Sequence, residues 1–283
     1  METEELMSIP AEELARGVNI GGEIHVTIVK DDDALSRNFA TAMADEIKRN
    51  NKADKRTSFI LPVGPKGQYE PFVDIVIEED IDLSKCSFFF MDEYLADDDR
   101  YIPVNHPLSF RGFVEETVTM PLTGKAGFDP KSVHFPDPNN VETYAKLIKD
   151  SGGVDISFAG VGINGHLAFN EPPEGPVEVD EFLNRPTRVL SLSRETRTIN
   201  SVTAGGGAID YIPRRAVTVG MKEIFSAKKI RIYMNRGWQK YGVRRALHGE
   251  VSPTFPVSLV RRHRDVSFVI TEEVAQPPSP EIK

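Results

Sequence analysis

Apolar positions along the chain fall into two alternating patterns. Short runs rich in β-branched and aromatic residues predict strands over 24–29 (IHVTIV), 57–61, 86–91, 154–159, 188–192, 216–219, 230–234 and 266–270. Between them lie longer amphipathic stretches. Leu35, Phe39, Met43 and Ile47 recur at i, i+4 behind acids at 31–33, which predicts a helix over 31–50. Weaker versions of the pattern predict helices over 69–79, 110–118, 141–149, 194–203, 221–226 and 238–248. Such alternation implies an α/β fold, a mostly parallel sheet with helices on both faces. No fixed-period repeat and no Ser/Gly linker divides the chain, so a single domain is expected over 1–275. The tail 276–283, QPPSPEIK, reads as disordered. Residues 172–186 are rich in Pro and Glu and carry no periodicity. Long loops of this composition serve as lids or as plain surface excursions, and composition alone does not separate the two.

Composition narrows the function classes. The 283 residues can bury a sizeable core. With 34 Lys+Arg against 43 Asp+Glu the formal charge is −9, which argues against a nucleic-acid partner but leaves room for local basic clusters that hold a small anion. No apolar run approaches the roughly 18 residues of a membrane span. The opening METEELMSIPAEEL is acidic and lacks the apolar core of a secretory signal. Cys86, the single cysteine, lies in the run CSFFF and reads as a buried, inert thiol. These features together describe a reduced, cytoplasmic protein.

Four segments carry candidate chemistry. Gly160-Val161-Gly162-Ile163-Asn164-Gly165 matches the dinucleotide pattern of spaced glycines after a strand. That pattern also needs a helix opening at the glycines, and Pro172-Pro173 follow too soon for a long one. The nucleotide reading is therefore rejected. The glycines instead permit tight turns under a ligand and bring His166 and Glu171 to the carboxyl edge of the sheet. Asp92, in Met91-Asp92-Glu93-Tyr94, is the first charge after an apolar strand. Partial desolvation there would make it a better base; a cap or turn acid is the plainer alternative. Val63-Gly64-Pro65-Lys66-Gly67 is a glycine-containing strand–helix turn, an anion cradle in principle but not a Walker loop. Arg236, Lys240, Arg244 and Arg245 form a cationic run that reads by default as a solvated helix surface, with Arg236 best placed to meet a ligand. No His/Cys spacing supports a metal site.

Three segments together resemble the glucosamine-6-phosphate deaminase/isomerase family, a relative of the 6-phosphogluconolactonases. They are Phe90-Met91-Asp92-Glu93-Tyr94, the run from Gly160 through His166-Leu167-Ala168-Phe169-Asn170-Glu171-Pro172, and Ala216-Val217-Thr218-Val219-Gly220-Met221. The resemblance implies a doubly wound, Rossmann-like domain with a lid, here about 172–205. It also implies aldose–ketose isomerisation through an enediol-type or enolamine intermediate, ending in ammonia loss in the deaminases, without redox cofactor or metal. Asp92 would move a proton between C2 and C1, His166 would open the sugar ring as an acid, and Glu171 would orient and charge His166. Gly64, Lys66, Gly67, Glu93, Gly165, Arg197, Arg236 and Lys240 are the expected substrate contacts, and a homo-oligomer is expected.

This chain departs from the family pattern at several positions. Asn164 replaces an Asp, and an amide can orient His166 but cannot support it by charge. The usual Thr-Gly-Gly-Thr-Pro loop reads Val63-Gly64-Pro65-Lys66-Gly67, while Val202 replaces an Arg and Gln239 a Lys. Two substrates follow: glucosamine 6-phosphate, giving fructose 6-phosphate and ammonia, or an aldose with a C6 sulfonate, sulfoquinovose giving sulfofructose. The other classes considered are a non-catalytic sugar-phosphate sensor and a lactonase-like hydrolase.

Overall fold

The computed structural model describes residues 1–19 and 23–280. The apolar runs become β1 (Val18–Asn19), β2 (Glu23–Val29), β3 (Thr57–Leu61), β4 (Cys86–Phe90), β5 (Asp92–Leu95), β6 (Val133–His134), β7 (Ile156–Ala159), β8 (Arg188–Ser191), β9 (Arg215–Thr218), β10 (Lys229–Met234) and β11 (Val266–Thr271). The main sheet has the order β1-β2-β11-β10-β7-β3-β4-β6. All its neighbours pair in parallel except β1 with β2. Alternate residues of each strand enter opposite cores, as the two-residue period of a strand requires. Phe59, Leu61, Phe88, Phe90 and Phe158 pack against Leu35, Phe39, Met43 and Ile47 of the Asp32–Lys52 helix. Ile60, Phe89, Ile230, Ile232 and Phe268 face the other way, toward Val243, Ala246 and Leu247 of the Lys240–His248 helix. Cys86 is buried within the first of these cores, and burial pushes its thiol up to about 12.

The sequence expectation needs four corrections. The 188–192 and 216–219 runs do not extend the parallel sheet. They form β8 and β9 of a separate three-stranded antiparallel sheet, order β5-β9-β8. Asp92 does not sit in a loop but opens β5, its register partner being Thr218. Met91 is the joint between the sheets: its N–H donates to the Leu61 carbonyl of β3 (2.9 Å), and its carbonyl accepts from Val219 after β9 (2.7 Å). The helix expected over 110–118 is interrupted, running α over Phe110–Val114, π over Glu115–Thr119 and α again over Met120–Leu122. Further short helices occupy Thr3–Ser8, Ala11–Ala15 and Val179–Leu183, the last anchored by fully buried Phe182. Residues 277–280 carry no helix or strand; 281–283, the end of the expected disordered tail, lie outside the described residues. No described helix is long and apolar enough to cross a membrane.

Candidate active site

A cleft of about 270 Å³ opens at the carboxyl ends of β3, β4, β7 and β10, where open α/β sheets bind ligands. On one side of β3 the chain has moved to β4, and on the other lies β7, so the central pair marks a change in winding direction. Each strand end delivers a different part: Gly64 and Lys66 after β3, Asp92 after β4, His166 after β7, and Asn235 and Arg236 after β10.

Asp92 is only 7% exposed. Burial drives its carboxyl well above the usual carboxylate range, and the adjacent Glu93 carboxylate pushes the same way. A buried carboxylate with a raised proton affinity suits the abstraction of a carbon-bound proton.

The neighbouring Glu93 does not line the cleft. Its carboxylate is fully buried and accepts from the N–H groups of Tyr94 (2.8 Å), Phe110 (3.0 Å) and Arg111 (2.8 Å), from the Ser109 hydroxyl (2.9 Å) and from Arg111 Nε (3.4 Å). It thereby fixes the start of the Phe110–Val114 helix. That helix and the residues before it supply Pro107, Leu108, Ser109, Phe110 and Phe113 as one wall of the cleft.

His166 owes its position to two glycines. A side chain at Gly162 would place its Cβ 2.1 Å from the imidazole ring, so only glycine lets the ring lie across this turn. Gly165 has φ +81°, and its Cβ would strike the Phe255 ring. Gly165 thus shapes the turn and does not line the cleft. His166 Nδ1 lies 2.7 Å from Asn164 Oδ1, within hydrogen-bond distance, and Thr196 Oγ1 lies 3.3 Å from the same nitrogen. Burial pulls the imidazole down to about 4, against the pull of the Glu171 carboxylate.

Glu171 makes no hydrogen bond to His166 among the described contacts. Both its oxygens accept from the backbone N–H of Ser193 (3.1 Å each), at the N-cap of the Arg194–Ala204 helix. The side chain beside the imidazole is therefore Asn164 and not the expected Glu171, which acts on it only through space. No helix opens after the glycine run, in keeping with the rejected nucleotide reading.

Of the expected anion contacts, Gly64, Lys66 and Arg236 line the cleft. Lys66 Nζ lies 5.6 Å over the Phe113 ring. Lys66 and Arg236 are the only Lys or Arg side chains lining it among the described residues. The others lie elsewhere. Gly67 packs its backbone against Ser36, and Arg197 donates to the carbonyls of Ile209 (2.9 Å) and Ile212 (3.3 Å). Lys240 does not line the cleft. Gln239 spends its amide inside the protein, donating to Val161 O (2.7 Å) and accepting from Arg236 N (2.8 Å).

Sequence reasoning missed the 107–113 wall, the aromatic faces of Tyr94, Phe169 and Trp238, and the cover supplied by Ile199, Asn200, Thr203 and Ala204. Within the segment read as a lid, these last four residues reach the cleft, whereas 172–187 do not line it. Asn200 Nδ2 donates to Tyr94 Oη at 2.8 Å, tying the Arg194–Ala204 helix to β5. Among the described residues no group of three or more His, Cys, Asp or Glu is placed to hold a metal.

No family model matches the chain. A curated glucosamine-6-phosphate deaminase from Rhodopirellula baltica is 30% identical over 268 residues, covering 92% of this chain and 96% of the relative. One from Clostridium perfringens is 28% identical over 261 residues, covering 89% and 99%. Among solved structures, a monomeric glucosamine-6-phosphate deaminase matches with a TM-score of 0.75 at 26% identity, over 88% of this chain and 98% of that one. A 6-phosphogluconolactonase from Trypanosoma cruzi shares the fold, with a TM-score of 0.66 at 17% identity over 90% and 97%.

Proposed function

The chain belongs to the glucosamine-6-phosphate deaminase family, and on that premise we propose that it is an aldose–ketose isomerase for a hexose with an anionic C6 group. The observation that carries this reading is the meeting of Asp92 and His166 in one cleft, contributed by the ends of separate parallel strands. A buried carboxylate moves a proton between C2 and C1, and an imidazole beside it handles the oxygen-bound protons. Both steps are proton transfers that side chains of these types accelerate.

The C6 anion belongs at Lys66 and Arg236, assisted by the backbone at Gly64. Glucosamine 6-phosphate, the substrate in the names of the relatives, is one candidate. A C6-sulfonated aldose, sulfoquinovose giving sulfofructose, is the second. It is supported by the small number of cations in the cleft, because a sulfonate carries one negative charge and a phosphate ester close to two at pH 7. The test is an incubation with glucosamine 6-phosphate, glucose 6-phosphate and sulfoquinovose in deuterated water, followed by NMR. Deuterium at C1 of a ketose identifies the reaction and the substrate together; hydrolysis of a lactone without any such exchange would refute the isomerase reading.

A further inference from the structure

We infer that one cross-strand row of the small antiparallel sheet, Asp92–Thr218–Arg188, sets the separation of base and imidazole: Asp92 itself stands in the row, and Thr218 and Arg188 tie down the turn that follows His166. Thr218 and Arg188 are thus positioning residues, a role that rests on the isomerase reading and adds to it how the two proton-transfer groups are held together.

Thr218 of β9 is the register partner of Asp92 on one side and of Arg188 of β8 on the other. Residues directly opposite in an antiparallel sheet share a face, and their neighbours along each strand take the other face. The contacts of β5 follow that rule. Tyr94 shares the face of Asp92, and its ring centroid lies 5.7 Å from that of Phe169. Glu93, between them, turns the other way, to Ser109, Phe110 and Arg111. The face that carries Asp92 is therefore the one that meets residues 167–170.

Those residues form a turn that needs outside ties. Leu167 and Asn170 close it through a single bridge, the Asn170 N–H donating to the Leu167 carbonyl at 3.0 Å. Ala168 within it has φ +53°, a conformation that an L residue rarely adopts. The ties come from the row. Thr218 Oγ1 accepts from the Phe169 N–H at 3.0 Å, and Arg188 Nη1 donates to Asn170 Oδ1 at 2.7 Å. Asn170 is fully buried, and its Nδ2 donates to the carbonyls of Leu167 (3.0 Å) and Val219 (2.9 Å). Arg188 thus supplies the one side-chain donor to an amide whose other end staples the turn to the end of β9. His166 directly precedes the turn, and Ala168 and Phe169 line the cleft beside it, whereas Thr218, Asn170 and Arg188 do not. Base and imidazole are in this way referred to the same three strands. Proton transfer is sensitive to that reference, because a small misplacement of reacting groups costs rate steeply.

The experiment uses Arg188→Met and Thr218→Val, which remove the donor to Asn170 and the acceptor for Phe169 without altering a cleft-lining side chain. Each is expected to lower kcat roughly ten- to a hundred-fold, the scale of such a misplacement. KM should stay that of the wild type, because Lys66 and Arg236 are untouched. Thr218→Ser keeps the hydroxyl and should recover part of the loss. Arg188→Lys should do the same, because the bonds to Asn170 and to the Pro186 carbonyl (3.3 Å) both leave from a single nitrogen. Amide hydrogen exchange without substrate gives a readout independent of catalysis. The Phe169 and Asn170 N–H groups are expected to lose protection in Arg188→Met and Thr218→Val while β3 and β7 keep theirs. Where one variant fails to fold, the other carries both measurements. Wild-type protection at 169 and 170 would overturn the inference, and so would lost protection with an unchanged kcat. Absence of solvent deuterium in glucose 6-phosphate, sulfoquinovose and glucosamine 6-phosphate with the wild type would instead remove the isomerase reading, and the exchange at 169 and 170 would then decide by itself whether the row holds the turn.

Discussion

Asp92 and His166 are both held against their solution preference, and in opposite directions with pH. Asp92 binds its proton more tightly folded than unfolded. Its ionisation therefore costs stability as pH rises from about 3.8 through the raised native value. Asp92→Asn removes that cost. It should raise the melting temperature at pH 7 more than at pH 4, while lowering kcat roughly 100- to 10,000-fold. Turnover within a few-fold of wild type would show that Asp92 is not the base. His166 behaves inversely, because its native value of about 4 lies below the ordinary 6.5. The folded protein resists protonation, so stability from this group is complete above 6.5 and is lost as pH falls toward 4. His166→Gln should therefore reduce the loss of stability between pH 7 and pH 5, measured as the shift in urea midpoint against wild type. At the anion end, Lys66→Ala should raise KM roughly ten- to a hundred-fold, the scale of one charge-assisted contact. An unchanged KM in both Lys66→Ala and Arg236→Ala would place the anion elsewhere.

At the scale of elements, the cleft depends on a wall that its neighbours do not predict. Glu93 is fully buried and gathers donors from residues 16 to 18 positions further along the chain. Glu93→Ala would leave the N–H groups of Phe110 and Arg111 without their acceptor and release the start of the Phe110–Val114 helix. Breaking such a buried charged network costs roughly 3–5 kcal/mol. Because that helix lines the cleft without carrying the proton, KM should rise more than kcat falls in whatever fraction remains folded. A variant as stable as wild type with the same KM would disprove the anchoring role.

The same contact explains which parts were legible in the sequence. The central parallel strands β3, β4 and β7 were readable because each is a nearly continuous apolar run, buried on both faces, whereas the two-residue, half-buried β6 carries no such run. His166 and Asn164 were readable as neighbours because one short motif carries both; Glu171, in the same motif, was expected on the imidazole but holds the Ser193 N–H instead. β5 was not readable, because Asp92-Glu93-Tyr94-Leu95 is buried at all four positions by partners from β9 and the 109–111 turn, and nothing in its own pattern announces them. Asn200 and Thr196 escaped for the same reason: their contacts to Tyr94 and His166 span 106 and 30 residues.

At the scale of the whole molecule, the two ends of the chain are fastened by a residue that the sequence presents as a surface cation. Arg244 stands in a run with Arg236, Lys240 and Arg245, a pattern that reads as a solvated helix face. The structure corrects this: Arg244 is fully buried. Its guanidinium donates to the carbonyls of Ile9 (2.8 Å), Lys240 (2.8 Å) and Ala275 (2.7 Å). Ile9 ends the first helix, Thr3–Ser8, and Ala275 ends the last, Glu272–Ala275. One planar group with a fixed fork of donors thus joins both terminal segments to the Lys240–His248 helix, a task to which the point charge of a lysine is poorly suited. Arg244→Met keeps much of the volume but leaves three carbonyls without this donor. A loss of roughly 3–5 kcal/mol is expected. Lysine at this position should recover only part of it. None of the three acceptors lines the cleft, so kcat and KM of the folded fraction should remain those of the wild type. Urea unfolding followed by fluorescence, with hydrogen exchange at the two terminal helices, checks both statements. A variant within about 1 kcal/mol of wild type, the scale of a single ordinary hydrogen bond, would mean that the termini are held by their apolar contacts alone.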